Sequence, residues 1–527
     1  MRDPEVLVVG AGPVGLTVAH ELVRRSVRVR LVDQAAGPAT TSRALSVHAR
    51  TLEICHQMGL VDALLPRGRQ IVHFTLHLRG RTLARFDTNY AELPTRYPYS
   101  IMVDQVLTEQ TLRESLAAQG VEVEWNTELV SFTHSADGVQ AVLRDRTGEH
   151  RQAAPWMVGA DGAHSVVRRT LGFPLLGDST ETWLNADVTL DVDLPSDSHH
   201  LVHDGSGTLL CVPFPEPGKW RVVDTEDTAH DDDPVRVRAR VTRRISKALG
   251  RPVEVSEPTW ISVFTVQQRR IERMHSGRCF LAGDAAHVHS PASGQGMNTG
   301  IQDGHNLAWK LASVVKGHSD PSLLDSYDAE RVPVGKALLA STRKATGLVA
   351  LRNALAPIAM PVGLAVVNRV PALKQAIEGK MIRGFCGLGL HYRESPLSVG
   401  APARAGFSSG DRIGCSEETE RASAGWRTLY AEEATDPRWT LLCTGEVGTV
   451  SDAISVRTVS EHGDSGPGPL ADPGAALRRG FGLGPDDFAL VRPDGYLCAS
   501  GRIGALASVL RAAGFRPSVP ASETSPK

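Results

Sequence analysis

The sequence predicts an α/β fold in which a doubly wound domain carries an inserted β-sheet domain and is followed by a helical connection and a second α/β domain. Three observations predict it. "EVLVV" (5–9) stops at the glycines of "GAGPVG" (10–15), and "LTVAHELVRR" and "VRVRLVD" follow as a helix and an alternating strand that ends at Asp33. This is one βαβ unit in the right order, the opening of a Rossmann-like domain. Far downstream, "FLAGDAAHVHSPASGQGMNTG" (280–300) again runs from apolar strand to acid to small-residue loop to helix. Between them, 176–270 reads mostly as strands, "WLNADVTLDV", "GTLLCVPFP", "KWRVVDT" and "EPTWISVFTVQ", joined by turn-rich segments.

The remaining elements follow along the chain. "DQVLTEQTLRESLAA" (104–118) is an amphipathic helix, and "VEVEWNTELVSF" and "VQAVLRD" read as antiparallel strands. A helix begins near 298, and helical patterns continue to about 384. Residues 395–411, "SPLSVGAPARAGFSSGD", are rich in small residues and turn formers and mark a boundary. Beyond it "WTLLCTG", "ALRRGFG", "DFALVRPDGYLCA" and "IGALASVLRAAGF" alternate strand and helix, with a hairpin turn at Pro493-Asp494-Gly495. The divisions are 1–175 with 270–345 for the nucleotide-binding domain, 176–269 for the inserted sheet (76–99 contributing to it), 346–394 for the helical connection and 395–515 for the last domain. The tail 516–527 is expected to be disordered.

A chain of 527 residues needs more than one core. Its 41% hydrophobic and 22% charged residues are those of a soluble globular protein, and a net charge of -2 argues against nucleic-acid binding. The seven cysteines are scattered without a C-x-x-C, which excludes a disulfide framework and a zinc site. The first residues do not resemble a signal peptide, and "LAPIAMPVGLAVV" (355–367) falls short of the roughly 18 to 20 residues that span a bilayer. A cytoplasmic enzyme is expected, with no membrane partner.

In the G-x-G-x-x-G loop, Gly10 makes the tight turn, Gly12 admits a pyrophosphate and Gly15 lets the helix pack on the strand. Asp33 stands where a carboxylate binds an adenosine ribose and repels a 2′-phosphate, so the site suits NAD or FAD. A second strand-end acid, Asp284, suits a chain of hydroxyls, and the helix after the loop 291–296 offers about half a positive charge at its N-terminus. His287 and His289 at spacing two lack the further ligands that a metal site requires, and none is expected.

The motifs "GAGPVG" (10–15), "GADGAHSVVR" (159–168), "FLAGDAAHVHSPASGQGMN" (280–298) and "YDAERVPV" (327–334) resemble those of the class A flavoprotein monooxygenases, the FAD-dependent aromatic hydroxylases. With its C-terminal extension the chain resembles the bacterial subgroup that tailors aromatic polyketides, whose last domain is thioredoxin-like without the redox pair. The resemblance implies that Gly10, Gly12, Pro13, Gly15, Asp33 and Gln34 hold the ADP half of FAD and that Arg43 approaches the pyrophosphate. Gln105, the backbone at Leu129, and Asp161 would contact FAD. Gly283 and Asp284 would take the ribityl chain, while Pro291, Gly294, Gly296, Met297 and Asn298 line the flavin. Ser290-Pro291 and Ser293-Gly294 stand where the family usually has Pro-Pro and Gly-Gly.

No second dinucleotide fingerprint follows a strand, so NADPH or NADH would visit the flavin transiently. The implied activity is O2-dependent hydroxylation of an aromatic polyketide through a flavin hydroperoxide; a Baeyer–Villiger oxygenase and a non-catalytic flavin-binding protein are the alternatives. The protein would act as a monomer or homodimer. Trp183, Val212, Phe214, Trp220 and Phe264 are the candidates for the substrate pocket, and no catalytic residue is identified. His199, His200 and His203 are expected in loops.

Overall fold

The computed structural model describes residues 3–78, 80–88, 93–205, 207–226, 232–289, 294–350, 356–400, 406–463, 466 and 468–515. The expectations for Pro291 and for the tail 516–527 lie outside the described residues.

Five strands run parallel in the first sheet: Val6–Val9, Val29–Val32, Val123–Glu124, Trp156–Gly159 and Cys279–Leu281, with His275–Ser276 antiparallel at one edge. Val6 to Val9 are all buried, as a strand covered on both faces requires. The segment "VEVEWNTELVSF", read as one antiparallel strand, is two. Asn126 takes φ +53° and breaks it; Asn tolerates this left-handed turn better than most residues. Val123–Glu124 then joins the parallel sheet, while Glu128–His134 pairs antiparallel with Val139–Asp145.

The helices Pro13–Val23 and Gly296–Val315 pack closely against one another beside this sheet. A Cβ at Gly300 would lie 2.6 Å from Val14 Cγ2, and one at Gly283 2.7 Å from the same atom. Glycine is required at both positions for Val14 to fit between them.

The inserted domain is an eight-stranded sheet, in the order 287–288, 260–270, 176–189, 219–224, 208–213, 198–203, 73–78 and 81–87. His199, His200 and His203 therefore lie on a strand, not in loops. The stretch 176–270 also contains a helix that the strand-like reading omitted, Pro234–Leu249. "VRVRARV" alternates like a strand, but the helix signals are present: Asp233 caps Arg236 N–H, Pro234 opens the first turn, and Gly250 closes the last with φ +68°. Val237, Val241, Ile245 and Ala248 form its buried stripe.

Strand alternation gives the sheet two distinct faces. Leu184, Ala186, Leu209, Cys211, Trp220 and Val222 pack under the helix. Their neighbours in register, Trp183, Leu210, Val212 and Arg221, point to the opposite face, toward the nucleotide-binding domain. Helices Ala356–Arg369 and Pro371–Phe385 lie over part of that second face, where Leu364, Val367 and Ile377 meet Phe74, Leu76 and Phe86.

The C-terminal domain is a five-stranded sheet ordered 470–471, 454–460, 439–443, 487–491 and 497–502. The first three strands are parallel and the last two form an antiparallel hairpin, turned at Gly495 with φ +74°. Trp439 meets Trp309 of helix Gly296–Val315 edge to face, centroids 5.3 Å apart.

Beside this apolar contact lies a buried ionic cluster. Glu330 accepts from Arg492 Nη1 at 2.6 Å, Lys310 Nζ at 2.7 Å, Asn306 Nδ2 at 2.7 Å and Ser395 Oγ at 2.6 Å. Arg492 also reaches Asp494 at 2.6 Å. Two acids and two bases compensate one another, and loss of one partner strands the rest.

Glu330→Gln is expected to destabilise the chain by about 3 kcal/mol, read as a lowered thermal unfolding midpoint. Half-buried Glu433, at the same interface, accepts from Gln57 Nε2 at 3.5 Å. Burial, aided by the Glu53 carboxylate, pushes it up to about 7. A carboxyl raised in the folded state contributes stability that is present below its unfolded value and lost as pH climbs through the folded one. Stability should therefore fall between about pH 4.5 and 7 on this account. Glu433→Gln should raise the unfolding midpoint at pH 8 and change it little at pH 5.

Candidate functional site

Strands Val6–Val9, Trp156–Gly159 and Cys279–Leu281 lie side by side in register, with Val9 opposite Gly159 and Gly159 opposite Leu281. Three separate motifs therefore emerge at the same, C-terminal edge of the sheet, where open α/β sheets bind ligands.

At the first, Gly10 has φ +101°, and a Cβ there would lie 2.4 Å from Ala160 O. A Cβ at Gly15 would fall 1.8 Å from Gly10 O, so the helix cannot start with any other residue at that position. Gly12 differs: a Cβ there meets nothing within 4 Å. That open space adjoins the N-terminus of helix Pro13–Val23, which no side chain caps, and it fits a pyrophosphate. Asp33 accepts from Ala11 N–H at 2.6 Å and Ala35 N–H at 2.8 Å. Each carboxylate oxygen keeps a lone pair for a ribose hydroxyl. Gln34 beside it is exposed. Thr127 N–H donates to Asp33 O, which brings Leu129 near the same end, although its side chain is buried.

Arg43 is exposed at this edge, on a segment held from both sides. Gln105 Oε1 accepts from Ala44 N–H at 3.1 Å, and Arg221 Nη1 donates to Arg43 O at 3.0 Å. Gln105 thus acts on the loop, with its Nε2 on Glu109 at 2.8 Å.

Asp161 turns inward. It accepts from Ser165 Oγ at 2.5 Å and from Val166 and Val167 N–H at 2.7 and 3.1 Å, capping helix Val166–Thr170. Burial raises its carboxyl, and these donors pull the other way. From the same helix Arg168 Nη1 donates to Ala285 O at 3.2 Å, tying this motif to the Asp284 corner.

Asp284 follows Gly283 (φ +62°) and accepts no hydrogen bond from the described residues. It presents its carboxylate to solvent, yet protein surrounds it closely enough that burial raises it from its ordinary value, with His287 and Arg43 opposing. Both hold for a group on the floor of a deep groove. An acceptor without a donor fits a chain of hydroxyls, so the residues present fit the flavin half of a dinucleotide.

Asn298, buried at the start of helix Gly296–Val315, donates to Ser46 O and Gly294 O, each at 2.8 Å, and accepts from His48 N–H at 2.9 Å. It ties Gly294 to the segment at Ser46 and His48, and Met297 is buried beside it. Gly294 takes φ +62°, with Ser46 Oγ 3.0 Å from where its Cβ would be. The N-terminus of this helix, at Gly296, has no side-chain cap.

Of the pocket candidates, Val212 and Phe214 pack with Leu45, Ile71 and Met102, next to the segment that carries Arg43. Trp183 and Phe264 are paired in register on the same face. Trp220 is a correction: it is packed against helix Pro234–Leu249, because strand parity sends it to the opposite face from Arg221. Sequence reasoning missed Arg168, Asp303 and Arg331. A charged residue inside the apolar run "GIQDGHNLAWKLASVV" was the available signal for Asp303.

Gly12→Ala is expected to leave the fold intact, since the methyl meets no protein atom, and to abolish dinucleotide binding by filling the pyrophosphate space. The checks are an unchanged unfolding midpoint of the apoprotein and the loss of bound yellow cofactor.

The family described as FAD binding domain matches residues 3–342. The chain is 58% identical, over 95% of its length and 91% of the relative's, to a 6-methylpretetramide 4-monooxygenase of Streptomyces rimosus. In structure it resembles the anhydrotetracycline hydroxylase of Streptomyces rimosus, with TM-score 0.75, 27% identity and coverage of 98% and 99% of the two chains. It also resembles an aklavinone-11 hydroxylase solved with FAD and aklavinone, with TM-score 0.75, 26% identity and coverage of 98% and 100%. On these grounds and on the paired acid-and-glycine corners, the chain belongs to the FAD-dependent aromatic hydroxylases, the class A flavoprotein monooxygenases.

Proposed function

We propose that this monooxygenase hydroxylates a linear polycyclic aromatic polyketide of the pretetramide type, with NADPH or NADH as reductant and O2 as the oxygen source. The observation that carries the substrate class is the 58% identity, nearly end to end, with the 6-methylpretetramide 4-monooxygenase. Bound FAD supplies the electron transfer and oxygen activation. The chain's own residues bind, orient and exclude water. Asp33 and the open space at Gly12 receive the ADP half. Asp284 receives the ribityl hydroxyls, and the uncapped helix N-terminus at Gly296 favours negative charge on the ring. Val212 and Phe264, backed by the fully buried Phe214 and Trp183, supply the apolar wall of the pocket for fused aromatic rings and keep water from the reacting face.

His199, on that same wall, lies 3.5 Å from Met102 Sδ. Burial, with His48 and His200 beside it, pushes it down to about 3, so it meets a substrate as a neutral hydrogen-bonding group. The C-terminal domain is read as thioredoxin-like from its three parallel strands and closing hairpin; Cys415, Cys443 and Cys498 within it are all buried, without a disulfide, and no two are spaced as C-x-x-C. A cytoplasmic monomer or homodimer completes the reading. Among the described residues no helix is long and apolar enough to cross a membrane.

The test is product mass spectrometry with a pretetramide-type substrate under labelled oxygen gas, alongside reduced-nicotinamide consumption. One labelled oxygen in a new phenol, with consumption that depends on substrate, is expected. Peroxide as the sole product, or a protein that takes up no FAD, would overturn the reading. Val212→Trp, which narrows the wall, should raise KM for a four-ring substrate about ten-fold.

A further inference from the structure

Behind Asp284 lies a set of fully buried polar side chains. Asp303 is fully buried on helix Gly296–Val315. Its Oδ2 accepts from the Gly283 N–H at 3.1 Å and from His287 Nε2 at 2.6 Å. Its Oδ1 accepts from Arg331 Nε at 2.6 Å. The N–H of Gly283, the residue before Asp284, is thus pinned to a carboxylate, in a turn that only the φ +62° of Gly283 allows. Burial works to raise Asp303, but Arg331 and His287 outweigh it and hold the carboxyl below its ordinary value.

Arg331, itself fully buried, extends the chain of contacts. Its Nη1 donates to Tyr392 Oη at 2.9 Å and its Nη2 to Thr299 O at 3.2 Å. Tyr392 packs on Tyr496 of the C-terminal hairpin, centroids 4.4 Å apart, and Arg492 lies 5.1 Å from its ring. Tyr327, four residues before Arg331 in the same motif, donates to Leu281 O at 2.9 Å on the strand that leads to the turn. A buried ion pair of this kind adds little net stability compared with apolar residues of the same volume, but it fixes one geometry among several.

We propose that Asp303 and Arg331 are positioning residues for the flavin half of the cofactor: they hold the Gly283–Asp284 turn in its binding geometry, and Tyr392 braces this bracket against the C-terminal domain. The proposal rests on the assignment of Asp284 to the ribityl chain. Its consequence is specific. Disturbing the bracket weakens the grip on the flavin half and leaves the ADP half, at Gly12 and Asp33, untouched.

Titration of the full-length apoprotein with FAD and, separately, with ADP tests it. Asp303→Asn and Arg331→Met should each lower FAD affinity about ten-fold with ADP affinity unchanged, and should shift the visible spectrum and reduction potential of the bound flavin. Arg331→Lys should recover part of the FAD affinity, and Tyr392→Phe should move it in the same direction as Arg331→Met by less. Equal loss of FAD and ADP affinity, or a lowered unfolding midpoint with both affinities intact, would overturn the bracket. Tyr392→Phe with a wild-type ratio of the two affinities would remove the C-terminal domain from it. If Arg331→Met does not fold, Arg331→Lys is measured in its place, and a wild-type ratio there overturns the bracket. Asp284→Asn separates the two ideas: if it binds FAD as the wild type does, the ribityl assignment fails, whatever Asp303→Asn shows.

Discussion

The side chain of Val14 sits in a space that exists only because residues 283 and 300 are glycines. A methyl group at either would overlap its Cγ2, and interiors packed at crystal density have no slack to absorb that. Through this contact a loop near the start of the chain and a strand end nearly 270 residues later become two walls of one groove. The parallel register of Val9, Gly159 and Leu281 sets the height of those walls, and the glycine contact sets their separation. The turn that carries Asp284 takes its position from this fit, whereas Asp33 is placed by its own strand and by the Ala11 and Ala35 N–H groups.

The second constraint is electrostatic. Glu330 and Lys310 lie on neighbouring helices, Arg492 and Asp494 on the distant C-terminal hairpin, and all four are almost wholly excluded from water. Such a group tolerates few alternative dockings, because any shift leaves a charge unpaired. The apolar contact of Trp309 with Trp439 is non-directional in its energetics, whereas the ionic contact beside it demands paired donors and acceptors. Together they fix the last domain on helix Gly296–Val315, the helix whose first turn carries Asn298.

Much of this was legible in the sequence, and the limits have physical causes. The βαβ unit and both acid-and-glycine corners could be read because glycine is needed where backbone must approach backbone, and no other residue substitutes at Gly10 or Gly15. Helix Pro234–Leu249 was hidden by the alternating arginines at 236, 238 and 240. Its Val237, Val241 and Ile245 stripe carries the helical period, but "VRVRARV" matches a strand as well. Asn126 split a strand through its own backbone conformation, which an apolar pattern does not report. Alternation told which side chains share a face, not which face meets the cofactor, and so Trp220 was grouped with Phe214. The roles of Arg168, Asp303 and Arg331 were out of reach because each is defined by a partner distant in the chain: Ala285, Gly283 and Tyr392.

The alternation in the inserted sheet has a consequence for how such a scaffold changes over time. Along the strand Thr208–Pro213, Leu209 and Cys211 support the helix beneath while Leu210 and Val212 look the other way. Replacing a residue of the second set reshapes what the wall can accommodate without opening a hole under the helix. Under the proposed function, shape selectivity and foldedness thus fall on interleaved, separately editable positions of one strand.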